Sequence, residues 1–205
     1  MELRRPPLPF ILIVLAGCAS RESSGGGAPA SEAAERPDGG WLVIDGAEPH
    51  IDKREMILIR RAEGSLSPVD TSVRPWLTLS CTPEAFRAHI DVPEDYAPSQ
   101  RGRDWLGPSV SYQIDSAKAR ADTWNVVIVK ESAILAPGSH MVSGITDEHA
   151  VRFINRIRPA SVLSFTFTPE HRDPKTVRFK LDSLPRLLER AERTCGRALR
   201  KGGAR

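Results

Sequence analysis

The chain has 205 residues, with 29 lysines and arginines against 26 aspartates and glutamates, and 40 % of it is apolar. A net charge of +3 lacks the basic excess that nucleic-acid binding draws on, so no nucleic-acid partner is expected. The apolar share is enough for one core of ordinary size, and the three cysteines are too few for a disulfide-stapled scaffold.

In chain order, the first element reads as a leader. Arg4 and Arg5 make a positive start, Leu8 to Gly17 is an uncharged apolar run, and the small residues Ala16 and Gly17 stand before Cys18; these are the three parts of a secretory signal. The run is well short of the ~20 residues that a bilayer-spanning helix needs. Leu15-Ala16-Gly17-Cys18 resembles the bacterial lipoprotein signal. That resemblance implies removal of residues 1–17, acylation of Cys18 with palmitate-type chains, and a membrane partner reached through that lipid. With Ala19 and Ser20 after the cysteine instead of an acidic residue, it also implies an outer-membrane lipoprotein, facing the periplasm.

Residues 18–40 then read as the lipidated cysteine and a flexible linker. Ala19 to Gly40 is almost wholly Ala, Ser, Gly, Glu and Pro, a composition that cannot bury enough apolar surface to offset its ordering entropy. Its random-coil reach is about 25 Å. A single periplasmic domain is expected over residues 41–199, followed by a basic tail at 200–205.

Within the domain, Trp41 to Ile44 and Met56 to Ile59 are short apolar runs suited to strands. In Pro75 to Cys81 the residues Leu77, Leu79 and Cys81 share one face, and Thr78 and Ser80 the other, so Cys81 is expected to point inward. Phe86 to Val92 alternates in the same way across a Thr82-Pro83-Glu84 turn, which predicts a hairpin. Pro93 to Pro108 reads as a long polar surface loop holding Arg101, Arg103 and Trp105. Val110, Tyr112 and Ile114 alternate with polar residues, Trp124 to Val129 is apolar on both faces as a central strand would be, and Ala133 to Leu135 adds a short strand.

Two helices follow. Thr146 is a suitable N-cap, Asp147 and Glu148 fall in the first turn, and Pro159 stops the element; Ala150, Phe153, Ile154 and Ile157 lie on one arc. Leu163, Phe165 and Phe167, then Val177, Phe179 and Leu181, mark two more alternating strands. The last helix starts near Asp182 or Ser183, with Leu184, Leu188, Ala191 and Cys195 as its apolar stripe. Arg186, Arg190, Arg193, Arg197 and Arg200 lie opposite, beside Glu189 and Glu192, and read as a solvated face; a helix ended by Gly196 would leave the last two arginines on a frayed tail.

With Cys18 acylated, two thiols remain for an oxidising envelope, and a Cys81–Cys195 disulfide is the economical outcome. Neither has a second ligand at metal-binding spacing, so no metal and no cofactor is expected. The fold class that follows is mostly β (α+β): a β-sandwich-like domain of seven to nine strands with one inserted helix and a C-terminal helix linked by the disulfide.

Trp41 opening the domain, an apolar strand ending in Cys81, Tyr112-Gln113-Ile114-Asp115, Trp124, Phe153-Ile154 on a helix, and Phe179-Lys180-Leu181 before a helix ending in Cys195 together resemble the periplasmic accessory proteins of type VI secretion, the VasI/TagO-like family. The chain departs from that pattern at Gln113, Val127 and Ser183, where arginine, serine and glycine are usual. The resemblance covers nearly the whole domain and implies a non-catalytic accessory or adaptor protein of the cell envelope with an envelope protein as partner.

Two other classes compete. Ser139, His140, Asp147, Glu148 and His149 supply hydroxyl, imidazole and carboxylate, the raw material of a hydrolase. No nucleophile elbow or His-Glu-x-x-His helix organises them, and no catalytic residue is expected. A periplasmic lysozyme-inhibitor-like binding module would need a Ser-Gly-x-x-Tyr loop, and Ser143-Gly144-Ile145-Thr146-Asp147 lacks the tyrosine. His50, His89 and His171 lie among polar neighbours. Trp105 with Arg101 and Arg103 is the expected interface, because an aromatic residue in a polar loop has little other reason to be there.

Overall fold

Alternation of apolar and polar side chains sets the pleat of most elements and decides which face each strand buries. The computed structural model describes residues 35–47, 54–98, 109–129, 132–137 and 147–199. Ten strands are found among them: β1 (Glu35–Asp38), β2 (Trp41–Ala47), β3 (Arg54–Arg61), β4 (Trp76–Cys81), β5 (Phe86–Pro93), β6 (Ser109–Ile114), β7 (Arg120–Val129), β8 (Ser132–Pro137), β9 (Val162–Phe167) and β10 (Lys175–Lys180). Helix α1 spans Asp147–Ile157 and α2 spans Leu184–Cys195.

Every pairing is antiparallel, in the order β1-β2-β3-β4-β5-β8-β7-β6-β9-β10. β7 is the element shared between two sheets: Arg120–Thr123 pair with β6 and Trp124–Val129 with β8. The architecture is thus a six-stranded and a four-stranded antiparallel sheet, with two helices. The expected mostly β class is found, with one strand more than the sequence reading allows.

That extra strand, β1, falls inside the segment read from composition as linker. It is joined to β2 by Gly39-Gly40, both at positive φ, which is the two-residue hairpin turn that glycine favours. β7 is a central strand, as expected, flanked by β8 and β6, yet Val127 and Ile128 are 51 % and 46 % exposed. Both faces are covered at Trp124 and Asn125, which are buried, and the strand opens to solvent further along, at Val127 and Ile128.

The core lies on one side of the large sheet. Met56 and Leu58 of β3, Leu77, Leu79 and Cys81 of β4, and Phe86, Ala88 and Ile90 of β5 are buried there. α1 packs on β5 and β8, and α2 on β3 and β4. Phe153 of α1 meets Tyr112 and Trp124 edge-on, with centroids 5.7 and 5.2 Å away, and Phe165 of β9 lies 4.7 Å from Trp124. The final strand returns to the segment after β3: Glu63 N donates to Arg178 O at 2.8 Å, and Lys180 Nζ meets Glu63 Oε1 at 2.6 Å. That hydrogen bond, and then the charge behind it, raise the pKa of Lys180.

α2 ends in a Schellman motif, with Gly196 N donating to Arg193 O and Arg197 N to Glu192 O. The chain beyond it is not a frayed tail as far as Leu199, which is buried and whose N–H donates to Glu192 Oε1 at 2.7 Å. Arg200 and the rest of the basic tail lie outside the described residues.

Candidate interaction surface

Because both helices sit on the core side, the opposite face of the large sheet has neither helix over it. Register places one side chain from each of five strands in a row across this face: Arg61 of β3, Trp76 of β4, Asp91 of β5, Ile134 of β8 and Val127 of β7. None of the five is buried. Trp76 is 39 % exposed, although its strand carries Leu77, Leu79 and Cys81 into the core.

The polar members of the row are held in place. The Arg61 guanidinium lies over the Trp76 ring, 5.2 Å from its centroid, a cation–π arrangement. Arg61 Nη2 donates to Ser72 O at 2.9 Å, and Ser72 is fixed in turn because its N–H and hydroxyl both donate to Asp70 Oδ1, at 2.8 and 2.6 Å. Those bonds, the hydroxyl's first, lower the Asp70 pKa. On the other side of Trp76, Asp91 Oδ2 accepts from Thr78 Oγ1 at 2.9 Å and lies 3.4 Å from His89 Nε2. The Asp91 side chain keeps 27 % of its surface exposed, so the carboxylate can accept further donors from solvent or a ligand.

On the core side, Cys81 and Cys195 form the disulfide, with Cα atoms 6.2 Å apart. The strand and helix phases read from sequence thus bring these two residues together. Arg190 of α2 pairs with Asp45 of β2 at 3.1 Å, and Glu192 pairs with Arg158 at 3.3 Å. The helix's charged side is therefore partly used inside the domain.

The other expected site residues have different fates. Cys18, Arg101, Arg103 and Trp105 lie outside the described residues, as do Ser139, His140 and the loop 143–146. Of the remaining catalytic candidates, Glu148 is exposed and pairs with Arg152 at 3.9 Å, and His149 is half-buried on the same helix. Among the described residues no group of three metal-ligating side chains is assembled. His89 Nε2 lies 3.4 Å from Asp91 Oδ2, and His171 is exposed, 3.4 Å from Glu170.

The residue that sequence reasoning passed over is Trp76. The signal was present in the alternation itself: Trp76 is in phase with Thr78 and Ser80, so an aromatic ring stands on the polar face of a strand whose apolar face is already complete. Comparison with family models, with curated proteins and with solved structures finds no match to this chain.

Proposed function

We propose that this chain is an outer-membrane lipoprotein anchored through Cys18, facing the periplasm, and that it acts without catalysis as an accessory or adaptor protein of a type VI secretion-like system. The observation that carries the interaction reading is Trp76. An indole kept partly in water, under a fixed guanidinium and on a sheet face that neither helix covers, forgoes burial that a core position would provide, and exposed aromatic and arginine side chains are the types that dominate binding energetics. The Cys81–Cys195 bond supports an oxidising compartment. The order of residues shared with the VasI/TagO-like proteins supports the secretion context, and Leu15 to Cys18 support the anchor.

The test has two arms in the native cell. A clickable fatty acid should label the wild-type protein and not Cys18→Ser. The phenotype of the deletion strain should be restored by Glu148→Ala with His149→Ala, and not by Trp76→Ala with Arg61→Ala at unchanged melting temperature. An unlabelled wild-type protein contradicts the anchor; failure of the Glu148/His149 pair with success of the Trp76/Arg61 pair contradicts the adaptor reading.

A further inference from the structure

We infer that the outer face of the large sheet, centred on Trp76, binds a β-linked glycan chain by stacking one pyranose ring on the side of the indole that the Arg61 guanidinium does not cover. The inference rests on the reading of this face as the interaction surface and names the chemistry of what it holds. A pyranose ring presents an apolar C–H face bordered by hydroxyls that both donate and accept. It is complementary to an exposed aromatic ring bordered by hydrogen-bonding side chains.

The row supplies both parts. Arg61 lies over the Trp76 ring from the β3 side, and Asp91, with Thr78 and His89 around it, stands on the β5 side. Asp91 accepts from hydroxyl donors on the ligand, and the Arg61 guanidinium donates to acceptors. One positive and one negative group flank the indole, which suits a ligand with little net charge, while phosphate or a strongly acidic peptide would meet the repulsion of Asp91.

Shape points the same way. From Trp76 to Val127 the row crosses three interstrand steps, about 14 Å at the usual spacing, along which a short run of linked rings can lie on Ile134 and Val127. A protein partner of stable affinity wants a contiguous apolar centre with charge at the rim; here the aromatic residue is flanked on both sides by charge. The donors and acceptors are also set before any ligand arrives, because Arg61 is tied to Ser72 and Asp91 to Thr78. A site on rigid strands loses less freedom on binding than one on loops.

The experiment uses the purified full chain, titrated calorimetrically with tri-N-acetylchitotriose and with cellotriose, and sedimented with isolated peptidoglycan. Binding to at least one probe is expected; response to the first and third alone identifies acetamido sugars, and response to cellotriose identifies a plain glucan. Trp76→Ala should weaken binding about tenfold or more, Asp91→Asn should weaken it by a smaller factor, and Val69→Ala, on an exposed loop, should leave it unchanged, all at wild-type melting temperature. No binding of any probe, or binding indifferent to Trp76→Ala, overturns the inference. If no probe binds and Trp76→Ala still fails to restore the deletion strain, the glycan is wrong and the adaptor reading stands. If a probe binds through Trp76 but Trp76→Ala restores the strain fully, the glycan stands and the adaptor reading falls.

Discussion

Gly40 and Ser183 both hold the left-handed backbone region, with φ of +82° and +67°, and only one of them is the residue that conformation favours. A Cβ at Gly40 would overlap the guanidinium of Arg60, which is buried and donates to Gly39 O. Gly40→Ala therefore combines left-handed strain with displacement of a bonded cation, and a loss of about 2–3 kcal/mol is expected in chemical denaturation. Ser183 carries the same strain without a side-chain capping bond to compensate, so Ser183→Gly should gain about 0.5 kcal/mol after the extra entropy of the unfolded glycine is subtracted. Equal effects of the two changes would contradict this account of the turn and the helix start. The Gly39-Gly40 turn is legible in Asp38-Gly39-Gly40-Trp41, but surrounded by small and acidic residues it reads equally as linker. What decides is the pairing of β1 on β2, which composition does not reveal.

At the level of elements, the disulfide ties the end of β4 to the end of α2 across 114 residues of chain. The chain-entropy model assigns such a loop about 4–5 kcal/mol, which for a domain of this size is a fall in Tm of roughly 10–20 °C on reduction. Cys195→Ala should reproduce that fall and open Cys81 to alkylation after unfolding; a melting temperature indifferent to reductant contradicts it. This bond was legible because two simple periods, two for β4 and 3.6 for α2, each put a cysteine on the apolar face, and the compartment argument did the rest. The exposure of Val127 and Ile128 in β7 is illegible for the opposite reason. Its run of Trp124 to Val129 has no alternation to read, and whether such a run is covered on both faces depends on what packs over the sheet. Here Trp124 and Asn125 are buried while Val127 and Ile128 are not, a tertiary outcome with no local signature. The alternation of β4, by contrast, holds Trp76 on the polar face throughout.

For the whole molecule, the architecture separates stability from recognition. The helices, the small sheet and the disulfide all lie with the core on one side of the large sheet, and the opposite side is left with Arg61, Trp76 and Asp91 in register. A mutation on the outer row can then change what the protein binds without changing how firmly it folds, which is what an interaction domain requires. The Trp76 row of this face should be covered in the living envelope and partly exposed in the isolated protein. Hydroxyl-radical footprinting measures it directly, comparing oxidation of Trp76 in intact cells with oxidation in the purified chain and using Val69, 93 % exposed, as the reference. Trp76 should be oxidised several-fold more slowly in cells while Val69 reacts alike in both; equal protection of the two residues, or none at Trp76, means that no partner covers the row.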